Sequence, residues 1–271
     1  MRTVIIIPAR FASTRFPGKP LAMIRCTDGV QRPAISQSWA AARAAAAALP
    51  GDVACMIATD DDRIADACSG MGMDVVMTPE TCLNGTERCA AALAGLAEVP
   101  DLVVNVQGDA PLTPVAMVKS VVELAEARPD LAMATAVMPA TPSVLAHLQA
   151  DAAAGRVGGT TAVCSRDGRA LYFSKSIIPH IAPGHTPIAP VLLHIGLYAY
   201  RPAALTAYVA AGPAPLELQE GLEQLRFLDA GLAVGTAHCA APPWDLIELN
   251  NPSDVPLIES ALARRAGVEP I

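Results

Sequence analysis

An apolar run at residues 4–7 is followed directly by a loop that carries three cations, Arg10, Arg15 and Lys19. The run predicts a buried strand, and ligands of open α/β sheets bind outside the carboxyl ends of such strands. Arginine and lysine at that place suit a polyphosphate, because guanidinium groups offer paired hydrogen bonds and ammonium groups a compact charge. Small loop residues let backbone N–H groups approach an anion closely, and they are Ala9, Ser13 and Gly18. The sequence therefore predicts a triphosphate site after the first strand.

The bulk composition makes this basic loop stand out. The chain has 271 residues and a net charge of -7, and 52% of its residues are apolar while 17% are charged. Such a chain forms a substantial core and lacks the basic face that general nucleic-acid binding needs. Seven cysteines without a C-x-x-C pair are most simply small core residues. Since neither a signal-peptide pattern nor a membrane-length apolar segment is present, we expect a protein of the reducing cytoplasm.

Strand and helix signals alternate along most of the chain. This alternation predicts the α/β class, with a mostly parallel twisted sheet and helices on both of its faces. A segment rich in proline and glycine, 138–190, interrupts the alternation and contains short β-like pieces at 160–164 and 170–173. The predicted strands are 3–7, 53–58, 74–77, 102–106, 133–137, 194–200 and a short piece near 234. The predicted helices are 35–49, one from about 60 to 68, 87–96, 113–127, 216–228 and 253–266.

Two acidic features follow predicted strands. Asp109 comes after the strand at 102–106 and after Gly108, which allows a tight exit from the strand. Read alone it is an ordinary turn residue, but beside a triphosphate loop it suits Mg²⁺, which usually binds one or two carboxylates together with substrate phosphates. The acidic run at residues 60–62 precedes a predicted helix. An N-terminal helix cap explains that run better than a metal site does.

The loop at residues 8–21 is neither a P-loop nor a dinucleotide fingerprint. Gly18 and Lys19 are followed by Pro20, where a P-loop has Ser or Thr. The form Pro-Ala-Arg-x-x-Ser-x-Arg-x-Pro-Gly-Lys-Pro-Leu resembles instead the signature of the CMP-Kdo synthetases, the 3-deoxy-manno-octulosonate (Kdo) cytidylyltransferases. The resemblance extends from residue 3 to about residue 263. Further matching segments are 84–88, 103–109, 171–179, 194–201 and 222–226.

This resemblance implies a role for each matching residue. It implies catalytic roles for Arg10, Arg15, Lys19 and Asp109. It implies nucleotide binding by Ala9, Arg10, Ser13, Arg15, Lys19, Arg88 and Gln107. It implies sugar binding by Gln107, Lys175, His194, Tyr198, Glu223 and Gln224. It implies that Asp109, together with the residue at position 250, which is Asn250 here, holds Mg²⁺.

The chain departs from the family pattern at three of these places. Ala110 replaces a glutamate, Lys175 replaces an arginine, and Asn250 stands where the family has the second aspartate ligand of Mg²⁺. An amide oxygen brings no charge to a metal, so we expect a weaker site unless Asp245 or Glu248 compensates.

The segment at residues 84–88 has two interpretations. Without the resemblance, residues 84–88 predict a helix start that is capped by Thr86, with Glu87 in the first turn. With it, the same segment lies near the nucleotide, and both interpretations are compatible.

The resemblance implies one nucleotidyltransferase domain over 1–271, Rossmann-like, with a smaller β-containing subdomain at 138–215 for sugar binding and dimerisation. The implied reaction joins CTP and a 3-deoxy sugar acid to give CMP-sugar and pyrophosphate, a step of lipopolysaccharide biosynthesis. The implied partners are CTP, an acidic sugar, Mg²⁺ and a second copy of the chain, with no nucleic acid and no membrane insertion. Two alternatives remain open. One is a different acidic acceptor, such as an amino variant of Kdo, another keto-acid sugar or a phosphonate; the other is a CTP-binding protein without turnover.

Overall fold

The computed structural model describes residues 1–13, 15–182 and 184–269. The chain divides into two compact units, which are Met1–Lys119 with Pro242–Ile271, and Ser120–Ala241. The predicted subdomain at 138–215 falls inside the second unit, and its role in sugar binding and dimerisation stays a prediction.

Most of the described strands lie close to the predicted places, whereas those at 23–25 and 31–33 were not predicted. The described strands are β1 (Arg2–Ala9), β2 (Met23–Arg25), β3 (Gln31–Pro33), β4 (Asp52–Thr59), β5 (Val75–Met77), β6 (Leu102–Val106), β7 (Met133–Pro139), β8 (Thr161–Cys164), β9 (Ala170–Ser174), β10 (Leu192–Tyr200) and β11 (Val234–His238).

The α-helices match the prediction less completely. In the described residues they are α1 (Ile35–Ala48), α2 (Asp62–Gly70), α3 (Gly85–Ala94), α4 (Val115–Ala127), α5 (Pro142–Ala153), α6 (Pro202–Ala211), α7 (Pro215–Glu220), α8 (Leu225–Asp229) and α9 (Val255–Ala266). None of the described helices is long and apolar enough to cross a membrane.

The first unit is built on four parallel strands in the order β6-β1-β4-β5. All five residues of β6 are buried, as are the last seven of β1, which fits strands that are covered on both faces. Parallel strands end at the same edge of the sheet. The carboxyl ends of β1 and β6 are therefore neighbours, and the two candidate loops start from them.

The second unit is built on β7, which pairs in parallel with β11 and antiparallel with β10. Strand β8 pairs antiparallel with both β10 and β9. The pairing of β10 with β7 changes register between Ile195 and Tyr198, so β10 bulges in the middle of the predicted sugar-binding segment. Taken together, the two units confirm the predicted α/β class.

Two parts of the helix prediction were wrong. The predicted helix 216–228 is two short helices, α7 and α8, because Gly221 has a φ of +62° and ends the first of them. Helices α5 and α6 were not predicted. In α5 only Leu148 and Asp151 are buried, so the segment lacks the apolar stripe by which a helix is recognised in a sequence.

Candidate active site

Gly18 fixes the shape of the loop that follows β1. Its φ of +70° lies in the left-handed region, and its N–H donates to the carbonyl of Phe11 at 2.9 Å. A Cβ at position 18 would lie 2.8 Å from the Phe11 ring, so both the backbone and the available space require glycine. On its other side the Phe11 ring is covered by the guanidinium group of Arg63, 3.4 Å from the ring centroid.

The loop brings two of its cations to the predicted metal-binding residues. The Nζ of Lys19 lies 2.5 Å from Oδ2 of Asp109, and the two side chains are only 14% and 23% exposed. Arg15 donates from Nη2 to Oδ1 of Asn250 at 3.0 Å. Arg10 is exposed at the end of β1. Two pairs of residues that lie 90 and 235 positions apart in the sequence are thus in contact, and each pair joins a cation of the loop to an oxygen-bearing side chain.

Two of the small residues predicted at the nucleotide lie on either side of the end of β1. Ala9 is the last residue of β1 and is buried. Ser13 lies in the loop and is half-buried.

The backbone around Asp109 is held on both sides. A Cβ at Gly108 would lie 2.7 Å from the Pro8 carbonyl oxygen, so only glycine permits the close passage of β6's end past β1. Ser38 donates to the Gly108 carbonyl at 3.0 Å, and the Leu249 N–H donates to the Asp109 carbonyl at 2.8 Å. The segment at 248–250 is thereby attached directly to the residue that the sequence places on the metal.

Glu248, and not Asp245, is the acid placed beside this cluster. Asn250 donates from Nδ2 to Oε2 of Glu248 at 3.4 Å. The Glu248 side chain is exposed, and the nearby protein atoms and the charge of Asp109 raise the pKa of its carboxyl above the ordinary value. Asp245 pairs instead with Arg264 at 2.5 Å and is largely exposed.

The side-chain oxygen atoms grouped here fit Mg²⁺. Two carboxylates whose charges repel each other, Asp109 and Glu248, together with the amide oxygen of Asn250, are hard oxygen ligands. Within residues 1–13, 15–182 and 184–269, no group of three or more His, Cys, Asp or Glu side chains is arranged to hold a metal ion. Mg²⁺ usually binds one or two carboxylates together with substrate phosphates, and the side chains grouped here suit that mode of binding.

The start of α3 differs from the prediction. The helix begins at Gly85, and Asn84 is its cap, accepting from the Glu87 N–H at 2.9 Å. The prediction that Thr86 caps this helix was wrong, since Thr86 lies within the first turn and is buried. Glu87 reaches back and accepts from the N–H of Leu83, the residue before the cap, at 2.7 Å.

Arg88 and Gln107, both predicted to bind nucleotide, lie near that helix start. Arg88 is only 3% exposed, and it donates to Oγ1 of Thr78 at 2.6 Å and to Oδ2 of Asp60 at 2.7 Å. The amide nitrogen of Gln107 lies 3.4 Å from the place where a Cβ at Gly85 would be. In this arrangement Arg88 anchors α3, while Gln107 packs against the first residue of the helix.

In the second unit, the structure groups three of the predicted sugar-binding residues. Nδ1 of His194, which is on β10, lies 3.5 Å from Nε2 of Gln224. The hydroxyl of Tyr198 donates to Oε1 of the same glutamine at 3.5 Å. Gln224 is only 2% exposed. The other imidazole nitrogen, Nε2, lies 3.0 Å from Oγ1 of Thr135. Desolvation by the surrounding protein atoms lowers the pKa of His194 to about 3, so the ring is neutral near pH 7.

Lys175 and Glu223 lie around the turn that separates α7 from α8. Lys175 is exposed just after β9, and its backbone N–H donates to Oε2 of Glu220 at 2.9 Å. Its Nζ lies 2.9 Å from the place where a Cβ at Gly221 would be, so the ammonium group sits over this turn. Glu223 is half-buried, and its carbonyl accepts from the hydroxyl of Tyr208 at 3.2 Å.

Arg226 has a structural role that the sequence did not indicate. It is 1% exposed and donates from Nε and Nη2 to the two carboxylate oxygens of Glu217, each at 2.7 Å. Its guanidinium carbon lies 4.0 Å from the centroid of the Tyr208 ring. This bidentate pair ties α8 to α7 and so fixes the turn that carries Glu223 and Gln224. Nothing local in the sequence indicates a pair formed across nine residues and a helix break.

Comparisons with known proteins define the class. A family model described as cytidylyltransferase matches residues 4–234, and the chain belongs to this family. The 3-deoxy-manno-octulosonate cytidylyltransferase of Maricaulis maris (strain MCS10) is 41% identical over 266 residues, covering 97% of this chain and 98% of the relative. The mitochondrial 3-deoxy-manno-octulosonate cytidylyltransferase of Arabidopsis thaliana is 37% identical over 265 residues, covering 97% of this chain and 84% of the relative.

A solved structure agrees with these relatives. It is described as CMP:2-keto-3-deoxy-manno-octonic acid synthetase complexed with CTP. It matches with a TM-score of 0.81 and 29% identity, covering 98% of this chain and 100% of that chain. The resemblance inferred from the loop at residues 8–21 is therefore confirmed.

Proposed function

We propose that the protein transfers the CMP group of CTP to Kdo and releases pyrophosphate. The relatives that share almost the whole chain are named for this reaction, and the solved neighbour is a complex with CTP. The observation that carries the proposal is the cluster in which Lys19 meets Asp109 and Arg15 meets Asn250. It joins the cations of the triphosphate loop to the oxygen donors that a phosphoryl-transfer site needs.

In this reaction the protein contributes mainly by positioning the substrates and neutralising charge, and little by covalent catalysis. An oxygen of the sugar's anomeric hydroxyl forms a bond to the α-phosphorus of CTP. The bond from that phosphorus to the β-phosphate oxygen breaks, pyrophosphate leaves with the electron pair, and the hydroxyl proton passes to water. Arg10, Arg15 and Lys19 bind the triphosphate and offset the charge that develops on pyrophosphate.

We also propose that Asp109, Glu248 and Asn250 hold Mg²⁺. When bound, the ion supplies Lewis-acid neutralisation of the phosphate oxygens. Glu248 replaces the charge that the family's second aspartate provides, since position 250 is an asparagine here. The hydrogen bond between Asn250 and Glu248 and the attachment of Leu249 to Asp109 support this assignment.

The second unit supplies the residues proposed to bind the sugar acid. His194, Tyr198 and Gln224 form one hydrogen-bonded group, and Lys175 and Glu223 lie around the adjoining turn. The ammonium group of Lys175 suits a carboxylate, although as a point charge it grips one less directionally than the family's arginine.

A panel of acceptors incubated with CTP and Mg²⁺, scored by pyrophosphate release, tests the proposal. We expect Kdo to give the highest kcat/KM among Kdo, its amino variant, other keto-acid sugars and phosphonates. A preference for another acid would move the assignment to that acceptor. CTP binding without pyrophosphate release from any acceptor, with Mg²⁺ or with Mn²⁺, would favour a binding protein without turnover.

A pair of aspartate variants tests the chemistry at the cluster. Asp109→Ala should abolish turnover while CTP still binds weakly, because the carboxylate beside the phosphates is lost. Asp245→Ala is the matched control, since Asp245 lies in the segment that carries Glu248 and Asn250 but faces Arg264. Near-normal turnover by the Asp109 variant would remove this residue from the proposed role.

The same family membership supports a homodimer, and seven cysteines without a disulfide pattern support a cytoplasmic location; both remain proposals. Sedimentation of the purified protein at micromolar concentration tests the first. A mass of one chain at every concentration would contradict it.

A further inference from the structure

A single buried hydroxyl lies where β7 and the bulge of β10 meet. Oγ1 of Thr135, a fully buried residue, is 2.8 Å from the Leu197 carbonyl oxygen, 3.3 Å from the Ile195 carbonyl oxygen and 3.0 Å from Nε2 of His194. The register change of β10 between Ile195 and Tyr198 brings these groups to the same side chain.

Counting hydrogens decides which atom donates to which. A threonine hydroxyl has one hydrogen and can accept through its oxygen, whereas a carbonyl oxygen can only accept. The hydrogen of Thr135 therefore goes to a carbonyl, and the shorter contact is the one to Leu197. Nε2 of His194 must then donate to Oγ1. A neutral imidazole has only one N–H, so Nδ1 is left as an acceptor.

The remaining contacts agree with this direction. Desolvation keeps the His194 ring neutral, with a pKa of about 3. The Gln224 amide N–H₂ donates to Nδ1, and its carbonyl oxygen accepts from the hydroxyl of Tyr198. Both of these contacts are 3.5 Å long, while the bond to Thr135 is 3.0 Å. The Thr135 side of the imidazole is thus the fixed side, and the Gln224 side is the one that a ligand can displace.

We infer that Thr135 is a positioning residue that holds His194 in the Nε2–H form, so that Nδ1 accepts a hydrogen bond from a hydroxyl of the sugar and not from its acid group. This inference rests on the proposed function, because it concerns the sugar acid of that reaction. A deprotonated carboxylate has no hydrogen to give to Nδ1 and is repelled by its lone pair. The acid group is consequently left to a cation, and Lys175 is the one that lies over the turn before Gln224.

Nitrogen NMR of the ¹⁵N-labelled full-length protein near pH 7.5 tests the tautomer without reference to activity. The chain has five histidines, and the signals of His194 are assigned by their loss in His194→Gln. In the wild type we expect a protonated Nε2 and an unprotonated Nδ1. Thr135→Val, which keeps the size but removes the acceptor, should shift His194 toward the Nδ1–H form, and Thr135→Ser should restore the wild-type pattern.

Kinetics of the same variants test the consequence for the substrate. Thr135→Val should raise the KM for the sugar acid about tenfold and leave the KM for CTP within about twofold, as expected for one misdirected hydrogen bond. Thr135→Ser should recover most of the loss. Thr236→Val is the matched control, because Thr236 is buried opposite Thr135 on β11 and bonds the Gly168 carbonyl at 2.9 Å without contacting His194.

Two results would overturn the inference. One is an Nδ1–H form of His194 in the wild-type protein. The other is a Thr135→Val protein whose His194 tautomer and sugar KM are unchanged. If Thr135→Val fails to fold, the wild-type spectrum and the Thr135→Ser variant still test the tautomer of His194. Failure of every sugar acid to react would contradict the proposed function, while the tautomer measurement would stand separately.

Discussion

Replacing Arg226 by methionine removes one half of a buried ion pair. In the native protein the guanidinium group gives two 2.7 Å hydrogen bonds to Glu217 and stacks on the Tyr208 ring. Methionine fills a similar volume but takes away the two short hydrogen bonds to the Glu217 carboxylate. The hydrogen bonds from the Ala214 N–H at 3.0 Å and from the Tyr208 hydroxyl at 3.3 Å are longer. The carboxylate stays buried and loses the guanidinium group that faces it.

The size of the effect follows from that geometry. Removing one partner of a buried pair costs about 3–5 kcal/mol, because the other charge is left uncompensated. The double variant Glu217→Gln/Arg226→Met removes the stranded charge but keeps an acceptor for the Ala214 N–H. We expect it to recover about 2 kcal/mol or more of the free energy of unfolding that Arg226→Met loses, since neutral hydrogen-bonded groups are far less costly to bury.

Urea unfolding followed by two probes measures this prediction. Far-UV circular dichroism reports both units, whereas tryptophan fluorescence reports the first, where Trp39 and Trp244 both lie. The loss should appear in the circular dichroism transition. A loss of less than about 1 kcal/mol in Arg226→Met, or a double variant as unstable as the single one, would contradict this prediction.

Three further variants address the loop, the metal and the histidine. Gly18→Ala should weaken CTP binding about tenfold or more by calorimetry, since a left-handed alanine costs about 1–2 kcal/mol and its Cβ meets Phe11; Gly29→Ala, with a φ of +81° but open space, should leave CTP affinity unchanged. Asn250→Asp should tighten Mn²⁺ binding to the CTP complex, measured by electron paramagnetic resonance, and unchanged affinity would separate this position from the metal. In His194→Gln, the free energy of unfolding should fall less steeply than in the wild type as the pH decreases from 7 to 4. The unfolded histidine takes up a proton below its ordinary pKa of 6.5 and the folded one only near a pKa of about 3, so wild-type stability falls between these values by up to about 1.4 kcal/mol per pH unit. Equal slopes for both proteins in urea unfolding from pH 4 to 7 would contradict this.

The parts of the fold that local patterns specify were predictable. The segment at 102–106, which is apolar at four of its five positions, forms β6 with the predicted bounds, because a strand covered on both faces needs an apolar residue at nearly every position. The basic loop after β1 was likewise placed correctly, since its charges contrast with an acidic chain. The acidic run before α2 also behaves as predicted, with Asp61 accepting from the Arg63 N–H at 3.0 Å as the helix cap.

The parts that depend on distant contacts were not predictable in the same way. Residues 216–228 have a helical composition, and only the positive φ of Gly221 shows the break between α7 and α8. The contact of Thr135 with His194 joins residues 59 positions apart. The choice between Asp245 and Glu248 was left open by the sequence, because it depends on which of them the segment after Trp244 directs toward Asp109 and which toward Arg264.

The pairing of Lys19 with Asp109 and of Arg15 with Asn250 has a consequence for which form of the nucleotide the protein accepts. A triphosphate that binds Lys19 and Arg15 draws these cations away from Asp109 and Asn250. Free CTP or inorganic phosphate supplies no positive charge in place of these cations. CTP that arrives with a divalent ion supplies positive charge to these side chains together with phosphates for the cations. If these cations bind the triphosphate as proposed, we expect the two internal contacts to compete more strongly with free anions than with CTP that carries a divalent ion.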